Sequence, residues 1–237
     1  MKHLALPLAA FLLLGSTVLA QTSEEAKAAA DAAKSRIDEL KTALKGKEEE
    51  PKIAAISACG DAPHATTAVS LAPLLGDASE NVRTAAAKAL GKMRGIADAA
   101  KALHGGLGAN EEKPKVLDAL FDAIGSVNHG SSVAVCKDWI SHRITKRDGA
   151  DQPGINSAID AMGALKWKGS VSAIIDLGKK NIVANGGRGG KGLRWKDDAR
   201  FNRALQRLTG ESYEDMDGWE DWWKKNAGKF NDDLTTK

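Results

Sequence analysis

The stretch that decides the fold is Asp77–Gly91, with the sequence DASENVRTAAAKALG. Its apolar side chains are spaced at i, i+3, i+4, i+7 and i+8, which is one face of an amphipathic helix. These side chains are Val82, Ala85, Ala86, Ala89 and Leu90. Gly91 follows at once, where a helix commonly ends on a residue in the left-handed conformation. The pattern predicts a short helix that buries small side chains and ends at a glycine cap.

The last three residues of this stretch recur along the chain. An Ala-apolar-Gly triplet closes four helical patterns, and the successive glycines are 31, 34 and 38 residues apart. They are Gly60, Gly91, Gly125 and Gly163. A second helical pattern follows each glycine after a short turn, at roughly 66–75, 96–103, 131–143 and 170–180. Helix pairs that recur every 30–40 residues or so are typical of an α-solenoid, in which each pair stacks on the next.

Asp77–Gly91 resembles the first helix of a HEAT repeat in its short form. The resemblance rests on Asp77, Val82, Arg83, Ala86, Ala89, Leu90 and Gly91. Pro114–Gly125 has the same spacing, but Leu117 replaces the arginine. The resemblance covers about residues 51–180 and implies a right-handed array of helical hairpins with a binding or scaffolding role. It also implies that Asp77 and Arg83 are structural and tie neighbouring repeats together.

The composition agrees with an all-α fold. Aromatic residues make up 5% of the 237 residues, hydrophobic residues 43% and charged residues 27%. Such a chain is globular, and it lacks the aromatic and β-branched content that β-sandwiches and barrels use. The net charge of +3 is too small to indicate a nucleic-acid partner. We therefore expect one all-α solenoid with an N-terminal helix and tryptophan-rich capping helices at the C-terminal end.

The first twenty residues have the pattern of a secretory signal peptide. Lys2 gives a basic start, residues 4–14 are apolar, and small residues precede a cleavage site after Ala20. The apolar run is too short to cross a membrane as a helix, which takes roughly 20 residues. We expect an exported chain, periplasmic or secreted, with no membrane span after cleavage.

Residues 21–50 are predicted as one helix. Thr22 and Glu25 have the spacing of a capping box at its start, and Pro51 is predicted to end it. The repeats then occupy 51–180, a glycine-rich basic loop 181–196, a helical cap 197–230 and a polar tail 231–237. In the cap, Asp217 is predicted to start the last helix.

Three tryptophans lie on one face of that last predicted helix. They are Trp219, Trp222 and Trp223. Their position at the end of the chain favours covering the last apolar face of the array over stacking on a carbohydrate. The run from Leu208 to Asn226 resembles the closing segment of exported HEAT-type proteins of planctomycete-like bacteria.

The two cysteines and the histidines are predicted to carry no chemistry. Cys59 and Cys136 lie two repeats apart, roughly 15–20 Å at the usual packing distance of helices. A disulfide needs Cα atoms within about 7 Å, so we expect two separate buried thiols. His64 and His129 are in equivalent turns, also two repeats apart, too far to share one metal. We therefore predict no metal, no cofactor and no catalytic residue.

A basic segment adjoins the predicted cap. Residues 178–208 carry nine basic and two acidic residues, a net charge of +7, whereas residues 209–237 carry a net charge of −4. One hypothesis is that the two segments compensate each other. The other is that the glycine-rich loop binds an anion or a partner. The residues that would do so are Arg188, Lys191, Arg194, Trp195 and Lys196.

Three functions remain open from the sequence. A non-catalytic protein-binding or scaffolding module of the bacterial cell envelope, with another protein as its partner, requires no reactive cluster. A polyanion or envelope-surface binder would use the basic 178–208 segment. An enzyme of the lyase type found among HEAT-like proteins would need a deep pocket with converging polar groups.

Overall fold

The computed structural model describes residues 10–144, 154–184 and 198–237. In these ranges the chain is helical and contains no strand. The helices are α1 Ala10–Leu44, α2 Glu49–Gly60, α3 Ala65–Leu71, α4 Glu80–Gly91, α5 Ala97–Ala109, α6 Pro114–Val127, α7 Ser132–Arg143, α8 Ile155–Met162, α9 Lys168–Ala184, α10 Asp198–Thr209 and α11 Met216–Asn226. Short 3-10 helices follow α3 at Ala72–Gly76 and α11 at Ala227–Lys229.

The helices pack in two parallel rows. In one row α2 packs on α4, α4 on α6, α6 on α8 and α8 on α10. In the other, α3, α5, α7, α9 and α11 follow one another in the same order. Helix α1 covers the start of both rows by packing on α2 and α3. The chain is an all-α solenoid, as predicted.

The four repeat glycines set the spacing of the first row. A Cβ atom built on Gly60 would lie 2.9 Å from the Cα atom of Ala89, closer than real Cβ atoms come. The same relation joins Gly60 to Ala89, Gly91 to Ala123, Gly125 to Ala161 and Gly163 to Ala204. Each alanine of one triplet therefore lies against the glycine of the triplet before it. The triplet is a packing device between helix pairs.

The prediction of left-handed caps at these glycines is wrong. Gly60 and Gly91 are the last residues of their helices, and none of the four repeat glycines has a positive φ. Left-handed residues end other helices: Asn128 follows α6 with φ 52°, and Gly210 follows α10 with φ 77°. The repeat glycines are small because a neighbouring helix passes close by, and their backbone is ordinary.

The N-terminal helix differs from its predicted bounds. It is described from Ala10 onward, so Thr22 lies inside it and not at its start. It ends at Leu44, before Pro51, which is the third residue of α2. A proline in a first turn costs little, because its nitrogen has no partner carbonyl there. The predicted capping box and the predicted end at Pro51 are both wrong.

The second-row helices lie near their predicted positions, but two of them extend further than predicted. Helix α9, Lys168–Ala184, includes the first four residues of the predicted loop 181–196. Helix α7, Ser132–Arg143, starts one residue after its predicted start and shares its predicted end. Helix α5 continues to Ala109, six residues beyond its predicted end. The extension contains three glycines, which is why the periodicity appeared to stop early.

The C-terminal helices continue the array. Helix α10 packs on α8 and α9, and α11 packs on α9, so they occupy the places of a fifth pair. Asp215, not the predicted Asp217, caps α11: its carboxylate accepts a hydrogen bond of 2.9 Å from the N–H of Gly218. In the triplet of α10, Gln206 takes the glycine position and is exposed. A further helix pair could not approach there as the others do.

No helix in the described ranges is both long enough and apolar enough to cross a membrane.

Candidate interaction surface

An apolar groove opens between α3 and α5, the first two helices of the second row. Its volume is about 460 Å³, and its walls are α3, the 3-10 helix Ala72–Gly76 and α5. The lining residues are Val69, Ala72, Leu75, Gly76, Asp98, Lys101, Ala102, Gly105, Gly106 and Ala109. Most of them are small or apolar, so the groove offers a shallow surface that another helix could contact closely.

The glycines of α5 make the groove open. Packing within the array requires a glycine at position 106, because a Cβ atom there would lie 2.9 Å from Cδ1 of Leu75. Gly105 and Gly108 are not explained in this way, since a Cβ atom at either would meet nothing within 4 Å. A glycine inside a helix costs about 1 kcal/mol relative to alanine. At Gly105 this cost has no compensation from the packing of the described chain.

Val69 stands at the edge of this groove. Its exposed fraction is 60%, and it is the one large aliphatic or aromatic side chain among the described residues that is exposed. It lies on α3, which packs against α5. A protruding apolar side chain and a recess without side chains therefore share one surface.

Two charges accompany the groove. Asp98 and Lys101 lie one turn apart on α5, and within the described ranges neither forms an ion pair. Charged side chains elsewhere join successive helix pairs. The N–O distances are 2.7 Å for Lys92–Asp61, 2.6 Å for Lys113–Glu80, 2.9 Å for Lys137–Asp176 and 2.5 Å for Arg200–Asp160. Asp98 and Lys101 thus differ from the charges that hold the array together.

The predicted anion-binding residues lie outside the described part of the chain. They are Arg188, Lys191, Arg194, Trp195 and Lys196. Of the remaining basic residues, Lys179 pairs with Glu220 at 2.7 Å, which raises the pKa of Lys179 and lowers that of Glu220. Lys180 donates a hydrogen bond of 2.5 Å to Ser141. Part of the basic segment is therefore compensated by neighbouring helices.

Helix α10 keeps an exposed basic face. Arg203 and Arg207 lie one turn apart on it and are exposed. Arg200 is half-buried and pairs with Asp160. In sequence, the face follows the segment that is predicted as a glycine-rich loop, most of which lies outside the described residues.

The tryptophan cluster lies between the last helices. Trp219 is fully buried and donates a hydrogen bond of 3.0 Å to Asn202 of α10. Trp223 donates one of 2.9 Å to Ser172 of α9, and Trp222 stacks on Trp223 with ring centroids 5.8 Å apart. These bonds and ring contacts join α9, α10 and α11, so the tryptophans are packed where the last pair meets α9.

The residues expected to tie repeats do so through intermediates. Asp77 accepts a hydrogen bond of 2.8 Å from the N–H of Ser79, and Ser79 in turn donates one of 2.5 Å to Glu49 of α2. Arg83 donates a hydrogen bond of 3.0 Å to the buried side chain of Asn110 at the end of α5, and Asn110 donates one of 2.9 Å to the carbonyl oxygen of Leu75 in the preceding pair. Neither Ser79 nor Asn110 was predicted from the sequence.

The two thiols are separate, as predicted. Cys59 and Cys136 are both free and buried. Cys59 is in contact with α1, where its Sγ atom donates to the carbonyl oxygen of Arg36 at 3.4 Å. Burial disfavours the thiolate and raises the pKa of Cys59 to about 11 and that of Cys136 to about 12. Both are thiols in packed surroundings.

The histidines make local or inter-helix contacts. His64 Nδ1 accepts a hydrogen bond of 3.2 Å from the N–H of Thr66 and caps α3. His129 Nδ1 accepts one of 3.3 Å from the N–H of Ser131. His104 Nε2 is 2.9 Å from the hydroxyl of Ser132, and burial lowers the pKa of His104. In the described ranges, no group of three or more His, Cys, Asp or Glu side chains could hold a metal ion.

The family comparison matches the part of the chain that contains this groove. Residues 37–126 match the family model of HEAT repeats. The match supports a HEAT-repeat protein. It runs from the last turns of α1 to α6, so both walls of the groove lie within the matched residues. Comparison with curated proteins finds no match. HEAT repeats generally mediate protein interactions or scaffolding, and HEAT-repeat proteins are typically non-catalytic scaffolds.

The groove is the feature that the sequence analysis missed. A signal for it was present in HGGLG at 104–108, three glycines inside a helical apolar pattern. A glycine in a helix interior is costly and calls for a packing or functional reason. Only Gly106 has such a reason within the array.

Proposed function

We propose that this chain is a non-catalytic protein-binding module of the bacterial cell envelope, and that the α3–α5 groove is its docking surface. The observation that carries the proposal is the combination of an exposed Val69 with an open Gly105 in one apolar groove. The usual role of HEAT repeats supports a protein as the partner.

The docking surface is tested with a groove-filling variant. Gly105→Leu places a side chain where the structure has open space, so the helix is expected to form and the groove to be blocked. Ala54→Leu is the matched control, because it adds the same side chain to an exposed position of α2. We expect the wild-type chain and the control to retain the same proteins from an envelope fraction, and Gly105→Leu to lose them. Equal retention by all three would contradict the proposed surface.

The envelope location is supported by the signal-peptide pattern of residues 1–20 and by the resemblance of the C-terminal run to exported proteins. The test is to sequence the N-terminus of the protein recovered from a bacterial periplasm or medium. We expect it to begin at Gln21. A cytoplasmic protein that still begins with the first residues would refute export.

A second candidate function is binding of a polyanion at the envelope surface. It is favoured by the net charge of +7 over residues 178–208 and by the exposed Arg203 and Arg207 on α10. Binding to phosphatidylglycerol vesicles should then fall steeply as salt is added. Replacing Arg188, Lys191, Arg194 and Lys196 by alanine should abolish it, and binding that is unchanged in this variant would exclude the function.

A further inference from the structure

We infer that the α3–α5 groove is closed by the same groove of a second copy of this chain, with the two α5 helices antiparallel across a two-fold axis. The inference rests on the proposed docking function of the groove and names its occupant. It depends on two properties of the surface, its charges and its shape, which are each self-complementary.

Asp98 and Lys101 make the charge of this surface self-complementary. They have opposite signs, lie one turn apart on the same helix, and form no ion pair within the described ranges. A two-fold axis that crosses α5 between them brings Asp98 of one copy to Lys101 of the other, and the reverse. Both charges are then satisfied by one symmetric contact. A parallel arrangement of the two helices would instead place like charges together.

Val69 and the small residues of α5 make the shape of this surface self-complementary. Val69 protrudes from one wall of the groove, and Ala102 and Gly105 leave room on the other. In the antiparallel dimer, Val69 of each copy packs on the small-residue face of α5 in the other copy. Protrusion and recess on one surface are what a two-fold contact requires, since each copy must supply both halves. The open space at Gly105 then has a physical reason, because it leaves room for Val69 of the second copy.

The first experiment is sedimentation equilibrium on the full chain over a concentration series up to about 1 mM, the limit of weak association. We expect a dimer that is weakened at least tenfold by Gly105→Leu and unchanged by Ala54→Leu. Circular dichroism melts establish that each variant is folded. A wild-type chain that remains monomeric throughout the series overturns the inference.

Charge reversal tests the antiparallel arrangement itself. Asp98→Lys and Lys101→Asp should each be monomeric, because each brings like charges together. Their equimolar mixture should form a heterodimer, and the double variant Asp98→Lys/Lys101→Asp should dimerise like the wild type. Lys115→Asp, a reversal at an exposed position of α6, is the control and should have no effect. A mixture that stays monomeric overturns the proposed pairing.

The outcomes separate this inference from the proposed function. If the wild-type chain is monomeric while Gly105→Leu loses the retained proteins, the dimer is wrong and the docking function stands. If the dimer forms with the expected charge behaviour but Gly105→Leu retains the same proteins, the dimer is confirmed and docking of another protein at this groove is wrong.

Discussion

At the scale of single residues, glycine has two different roles in this chain. Gly60 faces the backbone of Ala89, where an added Cβ atom would lie 2.9 Å from Cα, whereas Gly108 faces open space. The same substitution should therefore have opposite effects at the two positions. Sequence alone cannot distinguish them, because both follow an apolar residue at the end of a helical pattern.

We predict that Gly60→Ala lowers the free energy of unfolding by about 1–2 kcal/mol, because overpacking outweighs the gain in helix propensity. Gly108→Ala should raise it by up to about 1 kcal/mol, since only the propensity changes. Urea unfolding at one fixed protein concentration measures both. Two variants of equal stability would show that the glycine–alanine contact does not set the packing distance.

The buried thiols give a second prediction at this scale. With pKa values of about 11 and 12, Cys59 and Cys136 remain protonated at neutral pH and are enclosed by packing. We expect the native chain to react with neither thiol when treated with Ellman's reagent at neutral pH. After denaturation without reductant, both should react. A denatured chain with no reactive thiol would reveal a disulfide and contradict the array.

At the scale of helices, the sequence predicted most elements because each pair repeats one pattern. The helix ends that were predicted wrongly have physical causes. Pro51 looked like a helix end, but a first turn tolerates it. The end of α5 was missed because glycines interrupt the apolar period. The groove between α3 and α5 depends on which glycines face a neighbour, and periodicity carries no such information.

A contact between second-row helices yields a prediction on pH. His104 of α5 is half-buried and bonded to Ser132 of α7, and burial together with the nearby His129 lowers the pKa of His104. Folding therefore favours the neutral ring, so its contribution to stability is complete above the ordinary pKa of about 6.5 and is lost as pH falls below it.

We expect the unfolding free energy of the wild type to decrease between pH 7 and pH 5 more steeply than that of His104→Gln, which cannot be protonated. Urea unfolding at each pH provides the comparison. His142→Gln is the control, because His142 is exposed and bonds only to the carbonyl oxygen of Asp138 in its own helix. Equal pH slopes for wild type and His104→Gln would contradict the prediction.

At the scale of the whole molecule, stability in a solenoid depends on contacts between neighbouring pairs. Helix α1 makes its described buried contacts through Ala33 and Leu40, both far beyond residue 20. We therefore predict that deletion of residues 1–20 leaves the melting temperature unchanged within error. A marked loss would mean that the proposed signal segment belongs to the folded array.

Deletion at the C-terminal end should destabilise the chain, because α10 and α11 complete the burial of the fourth pair. Phe201, Leu205 and Trp219 are almost fully buried there, and burying each such side chain contributes roughly 1.5–3 kcal/mol. Deletion of residues 198–237 would uncover Gly163, which directly follows α8, as well as the face of α9 that now contacts α11. We expect a loss of several kcal/mol, measured by thermal and urea unfolding beside the chain that lacks residues 1–20. A shortened chain as stable as this control would show that the last two helices are an appendage and that the array is complete at α9.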